Sequence, residues 1–239
     1  MKSIPTQIMA HRGASAVERE NTTVAFRRAA EMGAHAVELD VRICNSGELV
    51  VHHNAVLADS IALKDLSRDQ LPAYIPNLTQ ALDACSGMWV NIEIKNDERE
   101  PDFDSSDKVA EMVVDLLRRR NPTQRWLISS FRRETVDYVH TLWPHLPTAW
   151  LTNHVIESDA EALAESLNAS GHCALNPNVR DLSRQVVSIM HRNGLAVNAW
   201  TCDDPVRIGE LIDWGIDGIC TNTPDVALRV LAERAGQNQ

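Results

Sequence analysis

The sequence predicts a (βα)8 barrel, and three features of it do so. Short apolar, β-branched runs alternate with amphipathic helical stretches through the whole chain, the pattern of a parallel α/β fold. The candidate strands number nine, one more than a barrel takes. The excess is removed by one gap: Val41 and Leu49 are joined by Arg42-Ile43-Cys44-Asn45-Ser46-Gly47-Glu48, which carries a turn signal and is too short for a parallel crossover. Those two strands therefore form an antiparallel hairpin, and eight strands remain. An open doubly wound sheet is the alternative. No stretch reads as a linker and barrels of about this length form one unit, so residues 1–239 are read as a single domain.

In chain order the strands are expected at Gln7–Ala10, Ala36–Val41, Leu49–His52, Trp89–Ile94, Trp126–Ser129, Thr148–Leu151, His172–Leu175, Leu195–Trp200 and Gly218–Thr221. The first helix, Thr22–Met32, opens behind Asn21, a good cap, and stops at Gly33. The helix Ser106–Arg120 carries Val109, Met112, Val113, Leu116 and Leu117 on one face and is ended by Asn121-Pro122. Further helices fit Arg133–Leu142, Ser158–Asn168, Leu182–Arg192, Pro205–Trp214 and Pro224–Ala235, with Gly236 to Gln239 frayed.

Composition narrows the function. With 44% hydrophobic and 23% charged residues the chain is globular, and no run approaches the ~18 apolar residues of a membrane span. Its net charge of −10 disfavours nucleic acid and stable association with an anionic membrane, since both call for a basic surface. An anionic substrate would need local cations or a metal. The start, Met1-Lys2-Ser3-Ile4-Pro5, has no apolar core of signal-peptide length, and the protein is expected in the cytoplasm. The five cysteines, Cys44, Cys85, Cys173, Cys202 and Cys220, are scattered and odd in number, which reads as buried thiols in a reducing compartment.

Barrel chemistry sits at the carboxyl ends of the strands. Here those ends read His11-Arg12-Gly13, Glu38-Leu39-Asp40, His52-His53, Glu93-Ile94-Lys95 and Ser129-Ser130. Glu38 and Asp40 share one strand face, as do Glu93 and Lys95, and charged pairs inside apolar strands are costly unless they coordinate or pair. Three carboxylates converging from two strands make a hard oxygen site suited to Mg²⁺ or Ca²⁺. His11 and His53 offer an acid and a base near neutrality, while Arg12 and Lys95 can neutralise a phosphoryl oxygen. Such a set suits displacement at phosphorus.

In that order, His11-Arg12-Gly13, Glu20-Asn21-Thr22, Glu38-Leu39-Asp40-Val41, Val50-Val51-His52-His53, Ile75-Pro76-Asn77-Leu78, Ile92-Glu93-Ile94-Lys95, Trp200-Thr201 and Gly215-Ile216-Asp217-Gly218-Ile219 resemble the glycerophosphodiester phosphodiesterases. The resemblance implies a TIM-type barrel that hydrolyses small glycerophosphodiesters to glycerol 3-phosphate and an alcohol, a step of glycerophospholipid breakdown, with one divalent cation, Mg²⁺ or Ca²⁺. It implies that Glu38, Asp40 and Glu93 hold the metal, that His11 and His53 are the acid/base pair, and that Arg12 and Lys95 contact phosphate. In the family's route the glycerol hydroxyl attacks, a cyclic phosphodiester forms, and water opens it. Which histidine starts as base stays open. Trp200 is either an apolar wall for glycerol or core.

The family's apolar residue four places beyond its catalytic histidine fits Leu57 and so favours His53 over His52. Asn54 and Asn222 stand where the family commonly has Asp, and Arg19 replaces a proline. The short link from His53 to Ile75 implies a trimmed cap and a more open mouth. Glu20 and Asn21 either line the site or serve the first helix as favourable charge and cap. The acidic run from Asp97 to Asp104 reads as a solvated loop or as a screen against anionic substrates. His35, His140, His145, His154 and His191 receive no role. The competing functions are cleavage of a lysophospholipid or another phosphodiester, and a barrel that binds diesters without turnover.

Overall fold

The computed structural model describes residues 6–58, 60–120 and 125–237. Its strands are β1 (Gln7–His11), β2 (Ala36–Ile43), β3 (Leu49–Val51), β4 (Trp89–Ile94), β5 (Trp126–Ser130), β6 (Thr148–Thr152), β7 (Ala174–Pro177), β8 (Ala196–Ala199) and β9 (Gly218–Thr221). All but β3 are parallel and close into an eight-membered ring in which β1 pairs with both β2 and β9, and β2 passes directly to β4. β3 lies antiparallel on the far end of β2, with Val41 opposite Val51 and Ile43 opposite Leu49. The barrel with its accessory hairpin strand is the architecture the sequence predicts.

The helices are α1 (Thr23–Glu31), α2 (Leu78–Ala84), α3 (Lys108–Arg120), α4 (Arg133–Leu142), α5 (Ala160–Ala169), α6 (Arg184–Arg192), α7 (Pro205–Asp213) and α8 (Pro224–Gln237). The cap of α1 is Thr22, whose hydroxyl accepts from the Ala25 amide at 3.2 Å, and not Asn21. Asn21 lies one residue earlier at φ +58°, where its side chain turns to the barrel end. α2 was not foreseen: it has only two turns, and its signal is the reciprocal capping of Asn77 and Gln80 rather than an apolar stripe. Gly236 and the backbone of Gln237 continue α8 rather than fray. Asn121-Pro122, Met1 to Pro5 and the last two residues lie outside the described residues.

Apolar side chains fill the space between strands and helices, Leu39, Val90 and Ile92 on one side and Leu175, Val197 and Ile219 on the other. Inside the ring, Leu127, Ala149 and Ala174 pack with Trp89 and Ala196, next to a cluster of Met9, Ala36 and Cys220. Trp89 opens β4, so this plug closes the amino-terminal end and leaves the carboxyl end free for polar groups. The segment after His53 packs Leu57, Leu63, Leu71 and Ile75 against Cys44 and Val50, a small core of its own beside β3. Four cysteines are buried as expected, but Cys173 is exposed, its thiol donating to the Thr148 carbonyl.

Candidate active site

Parallel register assembles the site. His11 on β1 lies beside Glu38 on β2, and Asp40 lies beside Glu93 on β4. With inward-facing residues every second position, these four side chains meet at the carboxyl end of the ring. Ligand oxygens of Glu38, Asp40 and Glu93 fall within 4.8 Å of one another, and all three residues are buried. After β1 the chain turns sharply through Arg12 at φ +57° and Gly13 at φ +86°. A side chain at Gly13 would run into Ala25 of α1 at 2.7 Å, so only glycine fits. The turn aims the Arg12 amide at Glu38 Oε2, 3.0 Å away.

Two cations are woven into the cluster. Lys95 Nζ lies 2.7 Å from Glu93 Oε1 and 3.7 Å from Asp40 Oδ1. Arg12 Nε lies 3.3 Å from Asp40 Oδ2, and its terminal nitrogen pairs with Glu20 at 3.0 Å. Asn21 donates to Asp40 Oδ2 at 2.7 Å and accepts from the Asp40 amide at 3.3 Å. Glu20 and Asn21 thus belong to the site. The Glu-Asn-Thr motif was their only signal in the sequence.

The electrostatics show what the cluster lacks. Burial pushes Glu38 well above the ordinary carboxylate range, and Asp40 and Glu93 beside it push the same way. Burial likewise raises Glu93, with Lys95 only partly offsetting it. Burial would raise Asp40 as well, but Lys95, Arg12 and His53 outweigh it and hold it at about 2. Three carboxylates stand against two cations, one of them shared with Glu20, and Glu38 Oε1 and Asp40 Oδ1 are buried without a hydrogen-bond partner among the described residues. Two orphaned oxygens in an all-oxygen donor set fit a hard divalent cation.

Both histidines reach the same cavity of about 250 Å³, which Arg12, Glu38, Glu93, Lys95 and Trp200 also line. His11 Nε2 is 4.0 Å from Glu38 Oε2, and its Nδ1 is 2.7 Å from Asn222 Oδ1. His53 Nδ1 is 2.7 Å from Asn54 Oδ1. His52 does not line the cavity; its Nδ1 lies 2.9 Å from the Asn54 carbonyl. Burial lowers both His11 and His53 below the ordinary histidine value, Arg12 adding to the effect at His11. Trp200 forms one wall, its indole N–H donating to the Asn176 carbonyl at 2.8 Å and its ring meeting Phe131 edge-on.

A wider groove of about 590 Å³ opens from the same end, sharing Glu93, Lys95 and Phe131 and extending past Asp97, Glu98 and Trp150. Its acidic loop is not merely solvated. Arg42, fully buried at the end of β2, takes Glu100 at 2.7 Å and Asp102 at 2.6 Å, and donates twice to the His53 carbonyl, at 2.6 and 3.0 Å. A buried guanidinium demands such partners, and the acids supply them. Arg42 was missed because the strand was expected to end at Val41; an arginine directly after a buried strand run was the available signal.

Fold and site together define a barrel enzyme with a cluster of three buried carboxylates flanked by two imidazoles. The chain belongs to the Glycerophosphoryl diester phosphodiesterase family, whose profile matches residues 11–226, and it is a phosphodiesterase of that family. It is 29% identical over 252 residues to a glycerophosphodiester phosphodiesterase of Bacillus altitudinis, covering 95% of this chain and 99% of that one. Its fold is similar to that of an Oleispira antarctica phosphodiesterase solved with the product sn-glycerol-3-phosphate, at TM-score 0.86 and 23% identity over 95% of this chain and 97% of that one. It is also similar to a Thermotoga maritima glycerophosphodiester phosphodiesterase, at TM-score 0.81 and 24% identity over 95% and 99% of the two chains. Among the described residues no helix is long and apolar enough to cross a membrane.

Proposed function

We propose that the protein, acting as one barrel domain, hydrolyses small glycerophosphodiesters to glycerol 3-phosphate and an alcohol. The observation that carries this reading is the placement of two imidazoles on one cavity, with three buried carboxylates and two cations between them. Glu38, Asp40 and Glu93 would hold one divalent cation, Mg²⁺ or Ca²⁺, which when bound polarises the phosphoryl group and offsets charge developing on its oxygens. Arg12 and Lys95 stand at the same rim and draw the phosphate to it, Arg12 through its planar fork and Lys95 as a point charge. Trp200 and Phe131 give glycerol carbons an apolar wall.

One histidine takes the proton of the attacking glycerol hydroxyl while the other protonates the departing alkoxide. When water opens the cyclic diester the two exchange roles. An imidazole kept neutral by burial is ready as a base, and the carboxylates beside it steady the imidazolium once formed. The groove past Asp97 and Trp150 provides room for the leaving alcohol.

The test is release of glycerol 3-phosphate from glycerophosphocholine and glycerophosphoethanolamine with Mg²⁺, Ca²⁺ or EDTA. Release with either metal and none in EDTA is expected. Saturable binding of the diesters with no release under any condition would make the barrel a binding protein.

A further inference from the structure

Asp203 stands on the loop after β8, exposed and outside the cavity that holds the histidines. Its carboxylate nevertheless gathers three donors. Oδ1 accepts the Asn222 backbone N–H at 2.7 Å and the Thr221 hydroxyl at 2.8 Å, and Oδ2 accepts Asn222 Nδ2 at 2.6 Å. The other end of the Asn222 amide, Oδ1, lies 2.7 Å from His11 Nδ1 and accepts the Ser15 hydroxyl at 2.9 Å.

An amide has two ends of nearly the same shape and opposite hydrogen-bonding sense, so its neighbours decide which way it points. Two of the three neighbours of Asn222 are indifferent. A serine hydroxyl donates or accepts, and an imidazole nitrogen does either according to its tautomer. A carboxylate only accepts. Reversing the amide would set two oxygens against each other across the 2.6 Å now spanned by the Asn222–Asp203 bond. Asp203 is therefore the group that turns Nδ2 outward and Oδ1 toward His11. An amide oxygen can only accept, so His11 Nδ1 carries the hydrogen. The lone pair is left on Nε2, on the side of Glu38 and the cavity.

We propose that Asp203 is a positioning residue: through the amide of Asn222 it fixes His11 in the tautomer whose bare Nε2 faces the pocket. The imidazole itself is the reporter. The kinetic consequence rests on the acid/base role proposed above for His11, whereas the tautomer does not. At the matching place behind His53, Asn54 Nδ2 meets no such carboxylate among the described residues.

The experiment uses the full chain with Mg²⁺ and ¹⁵N-labelled histidine at about pH 8, where neutral imidazole dominates. His11 is assigned by its loss in His11→Ala. The wild-type protein should show a protonated-type Nδ1 and an unprotonated-type Nε2. Asp203→Asn, nearly isosteric, should populate the other tautomer, because the Asn222 backbone N–H and the Thr221 hydroxyl keep the new amide's oxygen and turn its NH2 toward the Asn222 side chain. It should also lower kcat on glycerophosphocholine about tenfold with KM held within about twofold, because a wrong tautomer removes the base and not the substrate contacts. In Asp203→Asn/Asn222→Asp an acceptor-only group touches Nδ1 directly, and both the wild-type tautomer and most of kcat should return. An unchanged tautomer in Asp203→Asn, or a double variant whose tautomer stays altered, would overturn the proposal. A shifted tautomer with unchanged kcat would uphold it and count instead against the acid/base role of His11.

Discussion

The two imidazoles of the pocket are held by the same kind of group, an asparagine oxygen 2.7 Å from Nδ1, but the supports behind the two asparagines differ. His11 ends a barrel strand, and its asparagine directly follows the neighbouring strand with Asp203 behind it. His53 sits on the segment after β3, and its asparagine is the next residue along the chain, exposed. What holds His53 is its backbone, since Arg42 grips its carbonyl and is itself anchored by Glu100 and Asp102. One arm fixes the tautomer of the ring. The other fixes the ring's location and leaves its amide partner free to turn. A pair that must exchange acid and base roles needs both imidazoles in place, but only one of them poised at the outset.

The largest expected effect falls on what the arms share. Removing divalent cations with EDTA should lower turnover by about 1000-fold or more, a metal contributing several kcal/mol to charge stabilisation, and Mg²⁺ or Ca²⁺ should restore it. Undiminished activity in EDTA would leave the orphaned oxygens of Glu38 and Asp40 without a purpose.

Arg42→Met comes next and acts on the His53 arm. It strips a buried charge from two acids and a carbonyl, and should cost about 3 kcal/mol of stability by urea unfolding. Stability within about 0.5 kcal/mol of wild type would mean that the arginine clamps nothing.

The same substitution should act unequally in the two arms. Asn222→Asp sets two carboxylates face to face where the amide now bridges, and should cost about 1 kcal/mol along with some activity. Asn54→Asp meets no acid among the described residues and should leave kcat within about threefold. Equal effects at both positions would erase the asymmetry.

The smallest effect lies below the site. His35 Nδ1 accepts the Ile8 amide at 2.9 Å, which requires an unprotonated nitrogen, and burial lowers its pKa. The unfolded chain then binds more protons than the native one as pH falls below about 6.5, so this contribution is present above that pH and lost below it. Between pH 7.5 and 5.5 the melting temperature of wild type should drop about 1 °C further than that of His35→Asn, whose amide oxygen accepts the same bond. Equal drops would remove His35 from the account.

The barrel was legible because alternation and strand length survive in a single sequence, and because the turn at Asn45-Ser46-Gly47 gave away the odd strand. The three clustered carboxylates were legible because charge inside an apolar strand is costly and therefore visible, and the two pocket histidines because they stand at or just past predicted strand ends and match the family's motifs. What escaped was of two kinds. α2 is too short for periodicity to register and is held by its cap. Arg42 and Asp203 act on the site through other residues, across 60 positions from Arg42 to Asp102 and 19 from Asp203 to Asn222. Only the side-by-side pairing of strands brings those pairs together, β2 with β4 and β8 with β9, and Arg42 and Asp203 carry no motif to announce them.

The central claim is that His11 and His53 work as one acid/base pair. Its most direct test is glycerol 3-phosphate release by His11→Ala, His53→Ala and the double variant, with His52→Ala as control. The account predicts a fall in kcat of more than about 100-fold in each single variant, little further loss in the double because the two act as a unit, and near wild-type turnover for His52→Ala. A single variant that keeps its turnover, or a double variant whose loss is the product of the two, would contradict it.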